Sequence, residues 1–204
     1  MTRPPTPAED QLVPPSSLVE VLIADEDIED VGSLSIEQAP EWLNLLPVLG
    51  GWQQVELSDT PTIPLARMVV HGPRDDGGWA AAETVSVFGY TGWPIFGELL
   101  RHAGGTLSAL HAVDINTKVL SVPPVQWVAA LRSSGTARIG GRQVWIQQSN
   151  YVAGSEERHA GRLIVQSIFV DDSHHAALAQ EIAQMSDSAY HGFVDSIRNK
   201  PVAS

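Results

Sequence analysis

Two stretches rich in β-branched and aromatic residues, 136–152 and 162–170, flank the polar connection Ala153-Gly154-Ser155-Glu156-Glu157-Arg158-His159-Ala160-Gly161. Such side chains pack well on a pleated surface and Gly-flanked polar residues favour chain reversal, so the pattern predicts a β-hairpin with a long loop. On its second arm Leu163, Val165 and Phe169 fall on one face, and Ile164, Ile168 and Val170 on the other. A strand apolar on both faces needs cover on both, which places this arm inside a sheet flanked by further layers.

The other segments supply that sheet and its cover. Strands are expected at 52–57, 65–71 and 79–90, the last two joined by the hairpin loop 72–78; in 79–90, Thr84, Ser86 and Phe88 alternate with Val85, Val87 and Gly89. Residues 125–132 read as a strand with a helix over 127–131 as the alternative, because periodicity does not separate the two in so short a run. Ser16 or Ser17 caps a short helix through Ala24 that turns Leu18, Val19, Leu22 and Ile23 inward. Pro94 suits the first turn of a helix of about ten residues, closed by Gly104-Gly105, and a second short one is read over 107–113. Asp171-Asp172-Ser173 caps a helix burying Leu178, Ile182 and Met185, and Ser186 caps a last one in which Tyr190, Phe193, Val194 and Ile197 share a face. The fold class read from this is α+β, a central antiparallel sheet flanked by helices. Residues 16–198 are expected to form one domain, after a disordered Pro-rich tail over 1–15 and before a flexible end at 199–204.

Charge narrows the partners. Twelve Lys plus Arg stand against twenty-four Asp plus Glu, a formal net charge of −12 that repels phosphate backbones and argues against nucleic acid. Glu9, Asp10, Glu20, Asp25, Glu26, Asp27, Glu29 and Asp30 against Arg3 place −7 of it in residues 1–30. Asp25 to Asp30 lack the alternating oxygens, central glycine and distal glutamate of an EF-hand, so this run is read as a solvated face or helix end. There is neither an apolar run long enough to span a membrane nor a signal-peptide h-region, and there is no cysteine. The expectation is a reduced, cytoplasmic protein without disulfides or thiolate-bound metal. Arginine outweighs lysine, present only as Lys118 and Lys200, which suits a GC-rich genome such as an actinobacterium's.

No local pattern signals a reaction. His174 and His175 are adjacent at a helix start and point about 100° apart, so they do not form a metal-binding i, i+4 pair. Asp171, Asp172 and His175 read as a helix cap rather than a metal site, and the remaining histidines stand alone. Gly154-Ser155 lies in a hairpin loop, not at a nucleophile elbow, and the Gly-Gly pairs lack the context of a phosphate cradle. No catalytic residue, metal ligand or cofactor is assigned; an enzyme or small-ligand binder would have to assemble its site from distant positions. Aromatics are the remaining signal. Trp145 and Tyr151 share a face of one strand with Gln143 and Gln147, an amphipathic strip suited to meeting a partner.

A family resemblance rests on the order of elements: an acidic N-terminal helix, Gly50-Gly51-Trp52 opening a strand, two further strands, the helix at Pro94, Ile139-Gly140-Gly141 leading to Trp145-Ile146, then Arg162-Leu163-Ile164-Val165-Gln166 and a terminal helix. Over roughly residues 18–197 this resembles the LpqN-type mycobacterial lipoproteins, whose fold is Mog1/PsbP-like. That family is exported and lipid-anchored, whereas this sequence shows neither signal peptide nor lipobox cysteine. The resemblance implies a non-catalytic binding module, adaptor or chaperone. Together with the α+β core, the tryptophans and the absence of catalytic motifs it gives the leading expectation, a non-enzymatic protein-binding domain such as a cytoplasmic adaptor or secretion-associated chaperone with a protein partner. A structural self-associating domain is a further alternative.

Overall fold

A computed structural model describes residues 16–57, 65–73, 78–154 and 157–198. The elements follow the order α1 (Leu18–Ala24), β1 (Ile28–Ser33), two 3-10 turns (Ile36–Gln38 and Glu41–Leu45), β2 (Trp52–Gln54), β3 (Arg67–Pro73) and β4 (Trp79–Gly92). Then come α2 (Phe96–Arg101), α3 (Gly105–Ala109), β5 (Val113–Leu120), β6 (Val128–Ile139), β7 (Arg142–Ala153), β8 (Gly161–Asp171) and α4 (Asp172–Arg198). The fold is α+β: among the described residues eight strands form one antiparallel sheet in the order β2-β3-β4-β8-β7-β6-β5, with β1 also paired to β4. The long strand β4 receives β3 along Trp79–Val85 and β1 along Phe88–Gly92, so two short strands share one of its edges.

Strand β8 lies between β4 and β7, where its two apolar faces require it to be. Ile164 sits between Val87 and Tyr151 under α4, while Leu163 sits between Phe88 and Val152 on the opposite face with α1 and α2. Helix α1 begins with a variant of the capping box: the hydroxyl of the N-cap Ser17 accepts from the Glu20 amide, and the Glu20 carboxylate reaches back to the amide of Ser16, one residue before the cap, at 2.6 Å.

Several expectations change. The run 136–152 is two strands, not one arm: Gly140 and Gly141, at φ +57° and +83°, make a tight turn between β6 and β7. Two successive left-handed residues suit a two-residue hairpin turn, which glycine adopts without a Cβ penalty. Residues 125–132 resolve toward the strand, as the start of β6. Strands β1 and β5 were not anticipated, since acidic and exposed residues mask their alternation; both lie outside the middle of the sheet. The helix read over 107–113 ends at Ala109, and the strand from Trp52 ends at Gln54. The tail 1–15, the turn 59–62 and the end 199–204 lie outside the described residues.

Helix α4 is one element of 27 residues rather than two. Ser186 is buried within it, and its Oγ accepts from Gln147 Nε2 at 2.5 Å instead of capping a new helix. A small residue at this position lets polar side chains of the sheet reach the helix backbone. Arg132 Nη2 donates to the Ser186 carbonyl at 3.1 Å, and Gln166 Nε2 donates to Glu83 Oε1 at 2.6 Å and faces the Met185 carbonyl at 3.4 Å. Glu83 also accepts from Arg67 Nε at 3.2 Å, while the remaining Arg67 nitrogens donate to the carbonyls of Leu46 and Pro47. Apolar packing flanks this polar layer, with Leu178, Ile182 and Met185 on one side and Ala189, Phe193, Val194 and Ile197 on the other.

Candidate functional site

Where α1 ends, the chain turns into β1 across from the start of α2 and leaves a cleft of about 370 Å³. Val21, Ala24, Asp25, Glu26, Asp27, Ile95, Glu98 and His102 line it. Asp25 builds it: one carboxylate oxygen accepts from the Asp27 amide and the other from the Ile95 amide, both at 3.0 Å. Ile95 is the N-cap residue of α2 and has no capping side chain, so the terminus takes its anion from a residue seventy positions earlier. The opposite wall is Glu98, which holds Arg101 at 2.6 Å and lies 3.7 Å from His102 Nε2.

Gly92 closes the back of this corner. Its φ is +118°, and a Cβ there would strike the Asp27 carbonyl oxygen. Gly92→Ala is therefore expected to cost about 2–3 kcal/mol in urea unfolding, because both the dihedral and the close approach exclude a side chain.

Chemically, the cleft joins an anionic rim to an apolar floor. Asp25, Glu26, Asp27 and Glu98 supply carboxylates, Val21 and Ala24 supply hydrocarbon, and Ile95 stands 53% exposed at the mouth. The lining contains no hydroxyl or lysine to act as a nucleophile. Among the described residues no three His, Asp or Glu side chains converge as metal ligands. Such a lining is chemically suited to a cationic group with an apolar neighbour.

The strip on β7 has a different environment. Gln143, Trp145, Gln147 and Tyr151 do share one face of the strand, and α4 lies over most of it. Gln143 is exposed, Trp145 is half-buried and stacked on the His175 ring at 4.2 Å, and Gln147 is tied to Ser186. Tyr151 is fully buried against Phe193, with ring centroids 5.1 Å apart. Burial pushes its phenol above the ordinary tyrosine range, with the Arg132 guanidinium opposing. His174 lies 3.9 Å from Asp171, whose carboxylate accepts from the Ser173 amide and hydroxyl, so these groups cap α4.

Sequence reasoning placed Asp25 to Asp30 on a solvated face or helix end; Asp25 is indeed the C-cap of α1, but the cleft was missed. Only the approach of α2 turns part of that run into a wall, and no local pattern announces a contact across seventy residues.

The architecture has a solved counterpart. The crystal structure of LpqN, involved in cell envelope biogenesis of Mycobacterium tuberculosis, matches with a TM-score of 0.59 over 88% of this chain and 94% of that one, at 14% sequence identity. The fold is similar to that of LpqN. At this identity the likeness to LpqN concerns the fold alone. The order expected from the resemblance, from acidic α1 through Gly50-Gly51 and Ile139-Gly140-Gly141 to α4, is the order observed. No family model and no curated protein matches the sequence.

Proposed function

We propose that the chain is a non-enzymatic protein-binding domain whose partner presents a basic, apolar segment to the cleft between α1 and α2. The observation that carries this reading is the cleft itself, with carboxylates from two distant segments facing each other over Val21, Ala24 and Ile95. Burial of an apolar side chain anchors such a segment, and the carboxylates select and steer its charge. The role of LpqN in cell envelope biogenesis motivates a further step: a cytoplasmic adaptor or secretion-associated chaperone that receives components bound for the envelope.

A synthetic amphipathic peptide of alternating Lys and Leu pairs tests the reading by calorimetry. It is expected to bind at the cleft, and Glu26→Lys combined with Asp27→Lys to weaken it about tenfold or more. Asp187→Lys combined with Asp195→Lys, two exposed reversals on α4 that change the net charge by the same amount, leaves affinity within about twofold and separates the cleft from the effect of net charge. Equal binding of a Glu–Leu peptide, or equal losses from both sets of reversals, would sink the proposal.

A further inference from the structure

Among the described residues strand β5 is an outermost strand of the sheet and pairs with β6 alone. Residues Val113–Val119 are exposed, including Val113 at 59%, Ile115 at 39% and Val119 at 68%. Long apolar edges of this kind present unpaired backbone groups to any second strand, and folded proteins blunt them or pair them. One bulge is present: the register against β6 shifts between Val113 and Asn116, with Asp114 at φ +55°, so the regular edge is Asn116–Leu120. Thr117 within this edge and Ile115 just before it both face the turn between α2 and α3, where each lies 3.4 Å from a Cβ position at Gly104. Asn116 and Lys118 belong to the opposite face, in register with Ser134 and Arg132.

We propose that β5 pairs antiparallel with β5 of a second copy of this chain, about a two-fold axis at Thr117, so that two sheets become one. This register is self-complementary. On one face it sets Ile115 against Val119 of the second copy on both sides of a Thr117–Thr117 pair, matching β-branched residues that are otherwise in water. On the other it sets Lys118 against Asn116 of the second copy on both sides of the axis, so the ammonium meets a side-chain amide rather than a second cation. Moving the axis by one residue, a two-residue shift of register, puts Lys118 opposite Lys118 or brings Ile115 opposite Thr117, losing one match or the other. The occupant is thus a second copy rather than an unrelated strand: the edge supplies both halves of its own pairing.

The chain contains no cysteine, so a single introduced thiol reads the register directly. Directly opposed residues of an antiparallel pair have Cα atoms about 4.5–5.5 Å apart, within disulfide range. Thr117→Cys is expected to form a covalent dimer under mild oxidation, and Asn116→Cys, which opposes position 118 instead, is not. Sedimentation of the unaltered chain at about 0.3 M salt, where repulsion between copies of net charge −12 is screened within several ångströms, is expected to show a dimer. Val119→Lys is expected to raise its dissociation constant at least about tenfold, with the far-ultraviolet circular dichroism unchanged. A chain that stays monomeric to about millimolar concentration, or that cross-links through Asn116→Cys in preference to Thr117→Cys, overturns the proposal.

Discussion

Arg67→Ala is expected to destabilise the fold by about 3–5 kcal/mol, read as a lower urea midpoint with an unchanged slope. Arg67 and Glu83 are both buried, at 3.2 Å, and the guanidinium also satisfies the carbonyls of Leu46 and Pro47. Its removal leaves a buried carboxylate with only the Gln166 amide beside it and orphans two backbone acceptors. The double replacement Arg67→Met with Glu83→Leu removes both charges and is expected to recover the part of the loss due to the lone buried carboxylate, while the Leu46 and Pro47 carbonyls stay without the Arg67 donors. An Arg67→Ala midpoint equal to that of the unaltered chain would show that water enters this layer and α4 is loosely seated.

Phe193→Ala is expected to cost a similar amount, about 3–5 kcal/mol, by thermal or urea unfolding. Its ring fills the space between Tyr151 on β7 and the cluster of Leu43, Ile164 and Ala189, a place where rigid strands on one side and the helix backbone on the other prevent collapse into the cavity. The companion Tyr151→Phe should change stability by less than about 1 kcal/mol, since the buried Tyr151 hydroxyl lies near Ser149 and Arg132 without making a well-formed hydrogen bond to either. A large loss from Tyr151→Phe would assign the hydroxyl a bridging role in the layer with Arg132 and Ser149.

These two residues show how unevenly the site and the core can be read. Tyr151 stood out because it shares strand parity with Trp145 and Gln147, and that parity holds. Parity says which residues share a face, and not what lies against it. The helix of 27 residues that covers the strip was divided at Ser186, because serine favours caps when it meets water. Here serine is buried and meets Gln147, a contact made by residues 39 positions apart. The cleft was hidden for a related reason: Asp25 reads as one acid among many until Ile95 donates to it.

By itself the sequence determined the α+β class, the capped start of α1 and the middle position of β8, because periodicity, caps and two-sided hydrophobicity are properties of neighbours along the chain. The tertiary structure alone decided that α4 closes over the β7 strip, that Arg67 and Glu83 meet, and that α1 and α2 leave an acidic cleft between them. Each of these joins segments far apart in sequence, and the desolvation and charge that give them their chemistry exist only once the segments touch.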